Sequence, residues 1–364
     1  MSPGPTGAAP PTDRLDDPAS YPAVDPTDFL AAVDGLPAQL EEAIRRASGA
    51  PGLPSADGIH SIAVLGMGGS GISGELCRTL LAPVAPVPVL SVRDYALPAW
   101  VGPDTLVFAV SYSGNTEETL AAYVEATRRG ARVVAVTSGG TLAAQAADAG
   151  HAVVEVPGGM MPRAALGYVS LPPLVVCSRL GLAPGLEEAL PGMLATVGQR
   201  IAECSRDVPS AANVAKQLAV RLAGSLPVVW GTEGIAGSAA YRWKCQLNEN
   251  AKAYAGWAVF PELNHNEVVG LYHPEAGSAP YGIVVLRHEA EHPRTARRIL
   301  ATSALVGGSV GFVEEVWARG DTPLARLFDL IATGDLVSTY LGIATGIDPA
   351  PIEAISLLKA ALGD

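Results

Sequence analysis

The chain has 364 residues, 49% hydrophobic and only 16% charged, with 40 glycines and 30 prolines, which leaves room for two ordinary domains rich in tight turns. A formal net charge of −12 argues against nucleic acid and anionic membrane as partners, so any small anion must find a locally positive site. The four cysteines (Cys77, Cys177, Cys204, Cys245) show no CxxC spacing, which argues against zinc and for a reducing, cytoplasmic compartment.

Residues 1–24, rich in Pro, Gly and Ala without periodicity, read as a disordered lead, with neither the basic start nor the apolar core of a secretory signal. No apolar run approaches the roughly 18–20 residues of a membrane span. Over 25–48, Phe29, Leu30, Val33, Leu36, Leu40 and Ile44 recur at helical spacing and predict one amphipathic helix. A short apolar strand over 61–66 (SIAVLG) then runs into the glycine turn GMGGSG and a helix over 74–81. Further strands follow over 87–92, 105–111, 131–137 and 151–156, with helices after the third and fourth. Strands alternating with helices predict an α/β chain with a doubly wound, flavodoxin-like parallel sheet flanked by helices.

The second half repeats the scheme. A strand over 226–231 ends in GTEGIAG, its helix carries AYRWKCQLN, and strands over 281–286 and 309–316 match the third and fourth of the first half. The chain therefore reads as a pseudo-duplication: one domain over 25–210, a second over 211–364, with a helical stretch over 165–222 at the junction.

Chemistry concentrates in two places. SYSGNTEET lies between a buried strand and a helix, where the hydroxyls of Ser111, Ser113 and Thr116 can donate to phosphate oxygens beside a helix N-terminus. Gly69 and Ser70 of GMGGSG offer a second turn from a neighbouring strand. A capping box would also explain Thr116 followed by Glu; three hydroxyls in six residues favour phosphate. No GK[ST] is present, so this is not a Walker loop, and GMGGSG lacks the dinucleotide-fold context. The matching turn of the second half, RHEAEH, carries two acids and does not suit an anion. The other concentration is 241–270, YRWKCQLNENAKAYAGWAVFPELNHNEVVG, where Glu249 and His265 are residue types suited to proton shuttling.

Together GMGGSG, SYSGNTEET, MPRAALGY, RWKCQLNENAK and FPELNHNEVVG resemble the bifunctional phosphoglucose/phosphomannose isomerases, of the sugar isomerase (SIS) domain superfamily, from about residue 25 to the C-terminus. The resemblance implies two SIS domains and aldose–ketose isomerisation of hexose 6-phosphates through a cis-enediolate, without metal or organic cofactor. It further implies that Gly69, Ser70, Ser111, Ser113 and Thr116 hold the phosphate and that Arg163 stabilises the enediolate. Glu249 would move the proton between C1 and C2, and Lys359 would assist. His265 would open the sugar ring from the partner subunit of a homodimer. One departure bears on the substrate: the family's C-terminal threonine is missing from residues 348–356, where Ile352 is the candidate for its place. A non-catalytic phosphosugar-binding regulator and an isomerase of another phosphosugar, such as an amino sugar or a heptose, stand as alternatives.

Overall fold

The computed structural model describes residues 11–272 and 281–362. Its strands pair in parallel within two sheets, in the orders β2-β1-β3-β4-β5 and β7-β6-β8-β9. The first sheet contains β1 (Ser61–Leu65), β2 (Val89–Val92), β3 (Thr105–Val110), β4 (Arg132–Thr137) and β5 (Ala152–Glu155). The second contains β6 (Leu226–Thr232), β7 (Gly256–Phe260), β8 (Tyr281–Arg287) and β9 (Phe312–Trp317). Every residue of β1 and β3 is buried, as expected of strands covered by helices on both faces.

The two sheets belong to separate units. One comprises Gly35–Gly198 and Gly320–Arg326; the other comprises Met1–Asp34, Gln199–Arg319 and Leu327–Asp364. These units cut the chain differently from the expected boundary at 210/211, because residues on both sides of the first sheet's segment associate with the second sheet. The order 7-6-8-9 repeats 2-1-3-4. In the repeat, β7 stands where β2 stands, a strand that sequence pattern passed over. Its residues GWAVF are only partly buried, with Trp257 exposed, so no buried apolar run like those of β1 and β3 marks it.

Three further expectations change. Residues 11–24 are ordered: Pro11–Leu15 is helical, Pro18–Ala23 is a 3-10 turn, and Leu15 and Tyr21 are buried. Arg14 donates to the carbonyls of Ile343 and Ala344 at 3.1 and 2.9 Å, and buried Lys216 donates to Leu15 O at 2.6 Å and Arg206 O at 2.7 Å. Polar anchors therefore fix a segment whose composition reads as disordered; residues 1–10 lie outside the described residues. The single helix over 25–48 is two helices, Phe29–Asp34 and Leu36–Gly49, parted at Gly35 with Pro37 in the first turn of the second, where its missing N–H costs nothing. The helix expected at 74–81 begins at Gly68, inside the glycine run.

By length and hydropathy, the helix Pro323–Thr345 could cross a membrane, contrary to the sequence reading, but its apolar window is entirely buried within the protein. It carries Asp329 and Asp335, each bound through two oxygens by an arginine: Arg200 at 2.8 and 2.9 Å, Arg242 at 3.1 and 2.8 Å. Burial still pushes the Asp335 carboxyl above its ordinary range, with Arg242 pulling the other way.

Candidate active site

In the first sheet the strand order reverses between β1 and β3, and the crevice beyond the carboxyl ends of those strands is where such sheets take ligands. Residues 66–71 follow β1 there, 111–116 follow β3, and 138–140 follow β4. Each leads into a helix: Gly68–Leu81, Glu117–Arg128 and Gly140–Asp148. None of the three N-caps (Met67, Thr116, Gly139) makes a side-chain capping bond. In the helix after β4 the first turn is tied to the neighbouring loop, Thr141 N–H to Asn115 Oδ1 at 3.0 Å and Leu142 N–H to Gly114 O at 2.9 Å, so it is the N-terminus of Glu117–Arg128 that suits an anion. Thr116, the residue for which a cap was the competing explanation, places its hydroxyl 2.9 Å from Ser111 Oγ instead.

Glycine lets these turns nest. Gly114 has φ +71°, and a Cβ there would stand 1.9 Å from Gly139 O. Gly69 presses on the 157–163 segment after β5: a Cβ on it would lie 2.8 Å from the backbone N of Arg163. Ser70 Oγ accepts from Tyr112 N–H at 3.0 Å, and Ser113 Oγ accepts from Asn115 N–H at 3.3 Å with its side chain exposed. Ser70, Ser111, Ser113, Thr116 and the Arg163 backbone are thus brought to one edge, and Arg163 itself is buried. Sequence reasoning missed two residues that hold this edge. Tyr112 binds three of its loops. Gln39 clamps the far side of Arg163, donating to Ala164 O at 2.9 Å and accepting from Gly167 N–H at 3.3 Å. An isolated Gln in an amphipathic helix carries no sequence signal for that task.

The corresponding turn after β8 is filled by the protein's own anion. The Glu291 carboxylate accepts from Arg287 Nε at 3.0 Å and from His288 N–H at 3.1 Å. The two acids noted in RHEAEH therefore include one that closes this turn upon itself.

Glu249 and His265 are carried by the other unit. The helix Ile235–Asn250 descends from the end of β6 and is pinned along its length: Trp243 Nε1 donates to Leu330 O at 2.7 Å, Arg242 binds Asp335, and Asn250 Nδ2 donates to Ser338 Oγ at 3.0 Å. Glu249 sits half-buried at its last turn, beside the amino ends of the strands. Lys252, held at φ +51°, donates to Glu249 O at 2.9 Å, Asp348 O at 2.8 Å and Pro349 O at 3.1 Å, tying that end to the segment that leads to Lys359. His265 is exposed and ends the short turn Glu262–His265, just beyond the carboxyl end of β7. Glu249 and His265 therefore lie at opposite edges of one sheet, separated by about 17 Å of strand. Lys359 is exposed in the last turn of Glu353–Leu362, a helix that buries no residue.

Of the remaining histidines, His151 Nδ1 lies 3.0 Å from Tyr123 OH and His292 caps Arg294 N–H at 3.2 Å. His288 is buried beside Thr232, His60 is exposed, and His273 lies outside the described residues.

Residues 211–362 match the family described as the bacterial phospho-glucose isomerase C-terminal SIS domain, and residues 58–178 match the SIS domain. The chain is 38% identical over 336 residues to a bifunctional phosphoglucose/phosphomannose isomerase of Caldicellulosiruptor bescii, covering 92% of this chain and 99% of that protein. It is 36% identical over 301 residues to the protein of that name from Thermoplasma acidophilum, covering 82% and 88%. A D-glucosamine-6-phosphate 4-epimerase of Sulfolobus acidocaldarius is 32% identical over 246 residues, covering 67% and 73%. Among solved structures, a glucose-6-phosphate isomerase like protein from Thermus thermophilus superposes with TM-score 0.60 at 21% identity, covering 92% of this chain and 96% of that one. The C-terminal domain of glucosamine-fructose-6-phosphate aminotransferase from Francisella tularensis gives 0.69 at 15% identity, covering 88% and 97%; both share the fold.

Proposed function

This chain belongs to the bifunctional phosphoglucose/phosphomannose isomerase family and is a sugar-phosphate isomerase; on that premise we propose that it interconverts fructose 6-phosphate with glucose 6-phosphate and mannose 6-phosphate. The observation that carries the reading is the edge where hydroxyls and helix N-termini converge, with the Arg163 backbone packed against Gly69. Such an edge suits a phosphate dianion in a chain of net charge −12.

In this reading Ser70, Ser111, Ser113 and Thr116 hold the phosphate, with Gly69 giving the close approach. His265 carries the proton from the C1 hydroxyl to the ring oxygen and opens the ring. Glu249 takes the C2 proton of the aldose and returns it to C1, and Arg163 stabilises the enediolate charge formed in between. Lys359 assists as a further cation. A homodimer with shared sites is supported by the separation of Glu249 from His265 across their own sheet: the two would act together only if they come from different protomers. The four free cysteines fit a cytoplasmic setting.

A coupled assay supplying each aldose in turn tests the reading, and turnover no greater than that of Glu249→Gln refutes it. Mixing inactive Glu249→Gln and His265→Ala proteins should restore activity after subunit exchange; a strict monomer by light scattering contradicts the shared site. The epimerase relative favours one second reading, a 2-amino sugar phosphate as substrate. The same assay with glucosamine 6-phosphate decides it.

A further inference from the structure

Tyr112 stands in the middle of the phosphate turn, yet its hydroxyl is bonded to the 157–160 segment. The ring is buried, and burial raises the phenol above its ordinary pKa, which keeps it a proton donor. Its backbone serves two loops: the N–H donates to Ser70 Oγ at 3.0 Å, and the carbonyl accepts from Ser138 N–H at 3.0 Å and Ser138 Oγ at 2.6 Å. Its hydroxyl serves a third, donating to Pro157 O at 2.8 Å and accepting from Met160 N–H at 3.1 Å.

That third loop ends at Arg163. Beyond Met160 the chain turns, with Ala164 and Ala165 N–H bonded to Met161 O at 2.9 and 3.1 Å, and Gly69 packs against Pro162 and Arg163. One end of the loop is thus held by the Tyr112 hydroxyl and the other by Gly69 and Gln39. We propose that Tyr112 is a positioning residue, which sets the Arg163 loop against the phosphate turn through its hydroxyl while its backbone fixes the turn itself. The proposal rests on the roles assigned above to Arg163 and the turn.

The division between backbone and side chain makes the proposal separable from simple stability. Tyr112→Phe keeps the ring and both backbone attachments, and removes only the two bonds to 157–160. A residue important only for folding would weaken phosphate binding and turnover together. A positioning residue acting through Arg163 should leave inhibition by inorganic phosphate within about twofold while kcat falls roughly 10- to 100-fold, since small misplacements of a catalytic group cost that much. The effect should also be non-additive: Tyr112→Phe added to Arg163→Ala should cost little more than Arg163→Ala alone. Unchanged kcat, a parallel loss of phosphate inhibition, or full additivity overturns the proposal.

Hydrogen exchange on wild type and Tyr112→Phe reads the same claim without turnover. Faster exchange over 157–163 with 66–71 unchanged is expected; unchanged exchange in both, or equal acceleration in both, overturns it. A wild-type protein inactive on every sugar phosphate would instead refute the assigned function, and the exchange result would still decide whether Tyr112 holds the loop.

Discussion

Gly114→Ala tests the phosphate turn most directly, because its cost can be worked out from the geometry. At φ +71° an alanine pays about 1–2 kcal/mol for the left-handed conformation alone. Its Cβ would also stand 1.9 Å from Gly139 O and 2.9 Å from Thr137 Oγ1. Restoring ordinary contact means parting the turns after β3 and β4 by about 1.5 Å. That movement breaks the bond from Leu142 N–H to Gly114 O, now 2.9 Å, and strains Thr137 Oγ1–H to Gly139 O at 2.8 Å, each worth about 1 kcal/mol net. The local penalty is then roughly 3–4 kcal/mol, below the 5–15 kcal/mol that typically holds a domain together. The variant should therefore fold, with Tm lowered by several degrees, and carry an opened turn. Initial-rate measurements should show KM and the inhibition constant for inorganic phosphate both rising by about 100-fold, with kcat less affected. Wild-type phosphate inhibition in a folded Gly114→Ala protein would refute the claim that these nested turns hold the anion.

Burial pushes Asp34 up to about 6 from 3.8, with Arg206 3.9 Å away as the opposing influence. A raised carboxyl contributes stability that is present below about pH 4 and lost as pH rises through about 6, so Asp34→Asn should flatten the Tm profile between those values and raise Tm at pH 7.5; an unchanged profile contradicts the burial argument. Lys216→Met strands Leu15 O and Arg206 O without their buried donor, so limited proteolysis should cut residues 11–24 at least tenfold faster than in wild type while the first sheet's unit stays resistant. Lys252→Met removes three charge-assisted bonds at the foot of the Glu249 helix, and no strain relief follows because methionine meets the same φ +51°. Its kcat should fall at least tenfold with phosphate inhibition unchanged, and wild-type kcat would show that the tie to Asp348 and Pro349 is not needed.

Sequence pattern revealed the first sheet well because parallel strands buried on both faces are unbroken apolar runs, and β1, β3 and β4 are such runs between turn residues. It failed wherever position depends on a distant partner. The order of residues 11–24 comes from Arg14 and Lys216 reaching carbonyls far along the chain, and no local window contains those carbonyls. The same holds for the span of Pro323–Thr345: its aspartates interrupt the apolar run in sequence, and in the fold each meets a buried arginine more than 90 residues away.

The polar stretch 241–270 shows how far a motif goes without its geometry. Its density of Glu, Lys, His and Asn suggests one cluster, yet it contains a helix running down the sheet and a strand running back up. Residues near the two ends of that excursion, Glu249 and His265, finish at opposite edges. Proximity in sequence here produces separation in space. Within one protomer a proton shuttle joining the two would have to cross the length of β7. The chemistry proposed for these residue types therefore depends on the proposed assembly, which the subunit-exchange experiment tests.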